Sequence, residues 1–427
     1  MNVLDSERMR DLLLDAGWIH AESEEDADLI CFNTCCVRGS AEDRAFGRLT
    51  LLKPWKNAGK DRVLALCGCI AQKDGSELLD RFPFLDLVVG TRDYDRLPLL
   101  AERVMKSGER LCSIAGITNV RTESGLVRAP VGVAAFVTIM YGCDNYCSYC
   151  IVPYVRGRET SRSMTKILDE IRDLGEKGVR DVTLLGQNVN SYIDPETSSD
   201  FPDLLKAAND VPGIKRIRYT TSHPKDASEK LINAVAELDK VCENFHLPAQ
   251  AGSNSVLKRM NRGYTREDYL DLTRRIRENV PEAVITTDLM VGFPGETKED
   301  FGDTLDLAKR VRWNSAFTFI YSIRPGTEAA EFADDVPEDI KKMRVSELIH
   351  LQESISAEKN QQMLGKTLRV LAERPSRRDP KDLAGKDMGG RTVVFTGDRS
   401  LIGDIIPVKI VRTTPHTLIG EINTDES

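Results

Sequence analysis

Six times between about residues 131 and 330 a short apolar run with strand character is followed by a helical pattern. The runs are Ala134–Met140, Asp181–Leu185, Ile214–Tyr219, Asn244–Leu247, Val284–Val291 and Ala316–Tyr321. After the first run, Ile167, Ile171 and Leu174 share one helical face, closed by Gly175 and Gly178. Alternation of this kind builds a parallel sheet with helices packed on it. Six units are too few for a closed eight-stranded barrel, so an open, partial (β/α)6 barrel is expected.

The segments after the runs are unusual in the same way. They are the cysteine loop after the first run, Gly186-Gln-Asn188, Ser222-His-Pro224, Pro248-Ala-Gln250, Gly292-Phe-Pro-Gly-Glu296 and Ser322-Ile-Arg-Pro-Gly326. Turns account for some of the glycine and proline. Polar residues after every strand exceed what turns require, and parallel barrels place active sites at the C-terminal strand ends. One convergent pocket is expected there.

The loop Tyr141-Gly-Cys-Asp-Asn-Tyr-Cys-Ser-Tyr-Cys-Ile151 carries Cys143, Cys147 and Cys150 at C-x3-C-x2-C spacing. A zinc site wants a fourth Cys or His at ligand spacing, and none of the five histidines lies in this loop. Cys147-Ser-Tyr-Cys150 alone could be a redox C-x-x-C, which leaves Cys143 idle. A ferredoxin wants a fourth cysteine close by. Three thiolates on a cubane leave one iron open to a ligand. That is the arrangement of enzymes that cleave S-adenosylmethionine (SAM) reductively to a carbon radical.

Two flanking blocks complete the chain. Up to about residue 115, apolar runs at Ala27–Phe32, Val63–Cys67 and Leu85–Val89 alternate with helical patterns and read as a small parallel α/β sheet. Asp5 or Ser6 is expected to cap a first helix whose face is Met9, Leu12, Leu13 and Ala16. Residues 115–130 read as a linker, and 337–364 as a charged helix. From 365 to 423, β-branched runs at Thr367–Leu371, Thr392–Phe395, Ile405–Val411 and Thr417–Ile422 read as a small all-β barrel. Its first loop is basic, with Arg374, Arg377, Arg378 and Lys381, then Lys386 and Arg391. A solvated loop and a phosphate-contacting loop both fit that composition. The expected domains are therefore 1–115, 128–360 and 364–426 of an α/β multidomain chain.

Composition bounds the rest. Charged residues are 30% and the net charge is −8, which disfavours a broadly basic nucleic-acid binder but leaves local basic patches open. No apolar run reaches membrane-spanning length, and the N-terminus lacks a signal-peptide pattern. Ten clustered cysteines favour a reducing compartment, so a cytoplasmic location is expected. Cys35-Cys36 and Cys67-Gly-Cys69 both follow runs of the first block, where parallel strands would bring their ends together. A second metal site and ordinary core thiols both fit; core positions are expected for Cys31, Cys67, Cys112 and Cys242.

The stretch from Tyr141 through Glu159 resembles the radical-SAM methylthiotransferases, nearest the MiaB type that acts on tRNA. So do Asn33-Thr-Cys-Cys-Val-Arg38, Cys69-Ile-Ala-Gln72, Leu247–Asn254, Arg262-Gly-Tyr-Thr265 and Asp288–Thr297. The last block resembles a TRAM domain, an RNA-binding β-barrel. The resemblance implies that a [4Fe-4S] cluster on Cys143, Cys147 and Cys150 binds SAM and reduces its sulfonium. The resulting radical takes hydrogen from carbon 2 of the adenine. A second [4Fe-4S] cluster, on Cys35 and Cys69, would supply a sulfur methylated by another SAM.

It also implies SAM contacts at Tyr149, Gly186, Gln187, Gln250 and Gly292. The expected substrate is tRNA carrying N6-(dimethylallyl)adenosine. The other readings are a different tRNA adenosine, a ribosomal-protein aspartate, or an RNA-binding remnant. A flavodoxin-like or ferredoxin-like electron donor and a monomer are expected. The family's first cysteine stands in a Gly-Cys-Gln-Met-Asn segment before Asp-Ser-Glu, whereas this chain opens Met1-Asn-Val-Leu-Asp-Ser-Glu7. The first strand and the third auxiliary ligand are therefore expected to be missing. On that reading SAM cleavage is kept, most methylthiolation is lost, and Met1 is not the natural start.

Overall fold

The computed structural model describes residues 1–36, 39–59, 61–114 and 132–424, and the linker expected at 115–130 lies outside them. The described residues divide into two compact units. One comprises those within Met1–Arg128, Tyr141–Tyr146 and Cys150–Thr160; the other, those within Ala129–Met140, Cys147–Tyr149 and Ser161–Ser427.

The first unit is built on a parallel sheet whose strands lie in sequence order: Leu29–Thr34, Val63–Gly68, Leu87–Val89 and Leu111–Ser113. Every residue of Val63–Gly68 is buried, as a strand covered on both faces requires. Alternation then sorts its side chains. Val63, Ala65 and Cys67 join Met9, Leu97, Leu100 and Val104 on one face. Leu64 and Leu66 join Phe46, Leu49, Leu78 and Phe82 on the other. Val155, from the turn-long helix Val152–Arg156, and Ile151 just before it belong to that second cluster. The strand at Leu111–Ser113 was not legible, being only three residues long.

The first helix, Asn2–Asp15, begins before the position expected. Asp5 does not cap it. Its side chain is buried inside the first turn and forms an ion pair with Arg156 at 2.8 Å. A carboxylate exposed at a cap cannot be told by sequence from one reserved for a distant arginine.

In the second unit, Ala134–Thr138, Asp181–Leu185 and Arg216–Tyr219 form one parallel sheet. Asn244–His246, Val284–Val291 and Ser315–Ile320 form another. A parallel bridge between Ile217 and Val241 joins them into a six-strand open barrel, as the repeat predicts. Helices Met164–Glu176, Phe201–Asn209, Glu229–Glu237, Arg266–Asn279 and Lys298–Val311 return the chain. Asp200–Asp203, Thr265–Asp268 and Thr297–Asp300 close capping boxes at three of their starts. The long helix Glu338–Gln361 leads to a closed barrel of five strands, ordered Thr367–Pro375, Asp382–Lys386, Thr392–Thr396, Leu418–Ile422 and Ile405–Thr413.

The strand Asp382–Lys386 was missed because its sequence, Asp-Leu-Ala-Gly-Lys, is short, charged at both ends and holds a glycine. That glycine is required: a Cβ on Gly385 would stand 2.0 Å from the Leu371 carbonyl oxygen. The basic loop is correspondingly shorter than expected. Lys386 ends the strand, and Arg391 is neutralised by Asp387 at 2.6 Å. Arg374, Arg377, Arg378 and Lys381 are exposed. Among the described residues no helix is long and apolar enough to cross a membrane.

Candidate functional site

Within the second unit the middle of the cysteine loop is fixed by its backbone. Ser148 donates N–H to Met260 O (3.1 Å) and its hydroxyl to Arg259 O (2.8 Å), and its own carbonyl accepts from Ala329 N–H (2.8 Å). The preceding residue, Cys147, is buried and receives Arg262 Nη1–H at 3.2 Å. The same nitrogen lies 3.3 Å from the Tyr149 hydroxyl. Arg262 Nη2 donates to Pro248 O (2.8 Å) and Nε to the Tyr264 hydroxyl (3.1 Å), with the guanidinium 5.3 Å from the Tyr264 ring centre. Two left-handed residues, Asn261 (φ 55°) and Gly263 (φ 67°), turn the chain after helix Asn254–Arg259 and aim Arg262 inward. Burial opposes its charge. Tyr149, Tyr264 and Cys147 nevertheless hold the guanidinium's pKa well above its ordinary value.

The other predicted residues of this unit lie at strand ends. Tyr149 packs on the cluster containing Phe293 and Tyr321. Gly186 is buried, and a Cβ there would meet Met140 Cγ at 2.6 Å. Gln187 follows it, half-buried. Gln250 is held at φ 66°, bridged to Leu289, a conformation uncommon for a residue with a side chain and typical of ligand-binding loops. Gly292 (φ 71°) lies against the stem of Lys341, where a Cβ would come within 2.4 Å of Cγ. Its N–H is accepted by Glu296 Oε1, which also takes Arg344 Nη1 at 2.6 Å in a buried ion pair. Packing of the long helix is thus sufficient reason for the glycine.

Sequence reasoning gave no individual role to His223, which the structure singles out. Its backbone N–H donates to Asn188 Oδ1 (3.0 Å), and Asn188 is itself held by Asp226 Oδ2 (2.7 Å). His223 Nδ1 accepts the Lys225 N–H, so the neutral ring carries its proton on Nε2. That Nε2, Ser222 Oγ and both amide atoms of Asn190 are buried without a partner among the described residues. Native buried polar groups are rarely left so. Four such atoms beyond two neighbouring strands are the donor and acceptor set that a polar organic ligand at the barrel mouth would satisfy, and SAM fits that chemistry.

Burial, helped by Arg262 and Lys225, pushes the His223 pKa down to about 2 from 6.5. A depressed histidine pKa means the unfolded chain binds the proton more readily, so stability falls as pH drops below about 6.5. Between pH 6.5 and 5 the loss is about 1.6 kcal/mol, since the unfolded histidine is already half protonated at pH 6.5 and the full slope is about 1.36 kcal/mol per unit. Urea unfolding of wild type and His223→Gln at both pH values should show this component only in wild type.

In the first unit, Cys143 and Cys150 are half-buried. Cys143 N–H donates to Gly157 O (3.1 Å), and Asn145 Nδ2 lies 3.5 Å from Cys143 Sγ. Gly142 (φ 76°) permits this turn, since a Cβ would overlap Arg158 O at 2.0 Å. At the sheet's C-terminal edge, Gly68 (φ 97°) lets its strand approach the Thr34 carbonyl, which a Cβ would meet at 2.4 Å. Cys36 and Cys69 converge beyond it, both buried. The Cys36 hydrogen bond holds the Cys69 thiol down to about 6, against burial and with help from Arg156. Cys36 is therefore the residue brought to Cys69, because the strand ends at Thr34 and the alternation of side chains along a strand no longer applies two residues later. Cys35 is half-buried. Cys67 is buried as expected and hydrogen-bonds Cys31, which is half-buried against the same cluster rather than inside it.

Among the described residues no three Cys, His, Asp or Glu side chains converge on a point where one metal ion could sit. A tetrahedral zinc site needs that convergence. A cubane does not, because each thiolate binds a different iron. Three thiols within eight residues, two of them receiving side-chain N–H groups, suit the cubane.

Residues 137–308 match the radical SAM superfamily, 1–90 the uncharacterized protein family UPF0004, and 361–422 the TRAM domain. A radical SAM methyltransferase of Kitasatospora setae, TsrM, solved with cobalamin and a [4Fe-4S] cluster, shares the fold at TM-score 0.57 and 16% identity. The match covers 90% of this chain and 78% of that one. The tRNA-2-methylthio-N(6)-dimethylallyladenosine synthase of Desulforamulus reducens is 49% identical over 99% of this chain and 93% of its own. That of Pelotomaculum thermopropionicum is 48% identical over 98% and 95%. Across three successive domain matches and nearly its full length, then, the chain belongs to the radical-SAM methylthiotransferase family, and its cofactors are SAM and [4Fe-4S].

Proposed function

We propose that this chain adds a methylthio group to carbon 2 of N6-(dimethylallyl)adenosine in tRNA. The observation that carries the reading is the three-thiol loop, its central cysteine held by Arg262 beside a strand-end mouth of unpartnered polar atoms. The substrate follows from relatives that share nearly half of its residues over nearly the whole chain.

Cys143, Cys147 and Cys150 would hold the SAM-binding cluster, three thiolates for a group of four irons. With that cluster and SAM both bound, the pair supplies a carbon radical by one-electron cleavage of the sulfonium. Tyr149, Gly186, Gln187, Gln250 and Gly292 border SAM, and His223 offers it or the base an N–H that stays neutral at working pH. Cys35 and Cys69 would supply two thiolates to the auxiliary cluster that furnishes the sulfur, with Cys36 hydrogen-bonded to Cys69 beside them. The working domains are 1–115, 128–360 and 364–426, the last presenting Arg374, Arg377, Arg378 and Lys381 to RNA phosphates. The enzyme works as a cytoplasmic monomer, reduced by a flavodoxin-like or ferredoxin-like protein. Mass spectrometry of tRNA nucleosides tests the reading in a strain lacking the gene. Loss of the 2-methylthio adduct, with dimethylallyladenosine accumulating, supports it; an unchanged nucleoside profile rules it out.

A further inference from the structure

We infer that Arg262 is a positioning residue that raises the reduction potential of the SAM-binding cluster by holding a guanidinium against the Cys147 sulfur. The inference rests on the reading of Cys147 as a cluster ligand.

Arg262 is 4% exposed, and among the described residues no carboxylate lies within ion-pair distance of it. A buried cation without a carboxylate is costly unless another anion answers it. Its partners are one carbonyl oxygen (Pro248), two phenol oxygens (Tyr264 and Tyr149) and the Cys147 sulfur. The only one of these that becomes an anion on binding iron is the sulfur.

The geometry separates anchoring from delivery. Nη2 is fixed on Pro248 O and Nε on Tyr264, whose hydroxyl is also within 2.9 Å of Ala249 O. Nη1 remains for Cys147 at 3.2 Å, shared with Tyr149. A simple packing role needs the first two contacts and not the third. Asn145 near Cys143 is a neutral donor at a longer 3.5 Å, so the charged contact dominates.

Reduction adds one electron, from an external reductant, to a cluster already bearing thiolate charge, and no proton is required. A fixed positive charge and an N–H···S bond stabilise the reduced form more than the oxidised one. Burial strengthens the effect by lowering the local dielectric.

The test uses the full chain, reconstituted anaerobically with iron and sulfide, as wild type, Arg262→Lys and Arg262→Met. Iron content is measured first. Dithionite-poised redox titration then follows the electron paramagnetic resonance signal that changes on adding SAM. In Arg262→Met the equilibrium constant for reduction should fall at least tenfold, a negative shift of about 59 mV for a one-electron couple. Arg262→Lys should recover part of it. Should Arg262→Met fail to hold iron, Tyr264→Phe, which frees Nε, is read instead and should shift the same way by less. An unchanged potential in an iron-replete variant overturns the assignment alone. A wild-type chain with no SAM-responsive cluster overturns the reading of Cys147, and the assignment with it.

Discussion

Alanine at Cys143, Cys147 or Cys150 is expected to remove about four irons per chain, as one cubane requires, and to bring 5′-deoxyadenosine formation to background. The expectation follows from ligand count. Three thiolates hold three of the four irons and leave a single one open, so none is spare. Cys147→Ala has the further consequence that Arg262 becomes a buried cation without its counter-group. It should therefore lose stability as well as iron, whereas Cys143→Ala and Cys150→Ala, at half-buried thiols, should lose mainly iron. Iron analysis, product chromatography and thermal unfolding on the three variants check the pattern. Retained SAM cleavage in any of them would sink the cluster assignment.

The second large effect concerns Asp5 and Arg156, which are paired at 2.8 Å with side chains 6% and 10% exposed. Arg156 also lies beside Cys69 and Tyr94, and burial alone would lower its pKa; Asp5 foremost, then Cys69 and Tyr94, keep it well above the ordinary value. Removing one member of a buried pair strands the other charge, a loss of about 3–5 kcal/mol. Asp5→Ala should therefore destabilise the first unit by that amount, read by urea unfolding with Trp18 and Trp55 as reporters. Asp95→Ala, breaking a more exposed pair with Arg8, should cost about 1 kcal/mol or less. Equal losses for the two would show that Asp5 is not a buried charge partner.

Local pattern carried most of the architecture. The strands expected at 181–185 and 284–291 recur with the same limits, because apolar runs bounded by polar and glycine-rich segments have few other ways to be buried. Leu111–Ser113 escaped because it is only three residues long, and Asp382–Lys386 because it is charged at both ends and holds a glycine. The cysteines of the loop were legible since their meaning lies in spacing. The Arg262-Gly-Tyr-Thr265 motif was visible as a motif, but its purpose was not, because Cys147 is 115 residues away.

What the sequence determined by itself is what short-range chemistry can encode: six strand–helix repeats, polar strand ends, and three thiols fit for an iron–sulfur cubane. Tertiary structure decided which distant charges answer the thiols. It brought Arg262 to Cys147, Arg156 to Cys69 and Asp5, and Cys36 to Cys69. The physical reason is that a buried charge or thiol is stabilised by whatever the fold places within hydrogen-bond distance, and that distance bears no relation to separation along the chain.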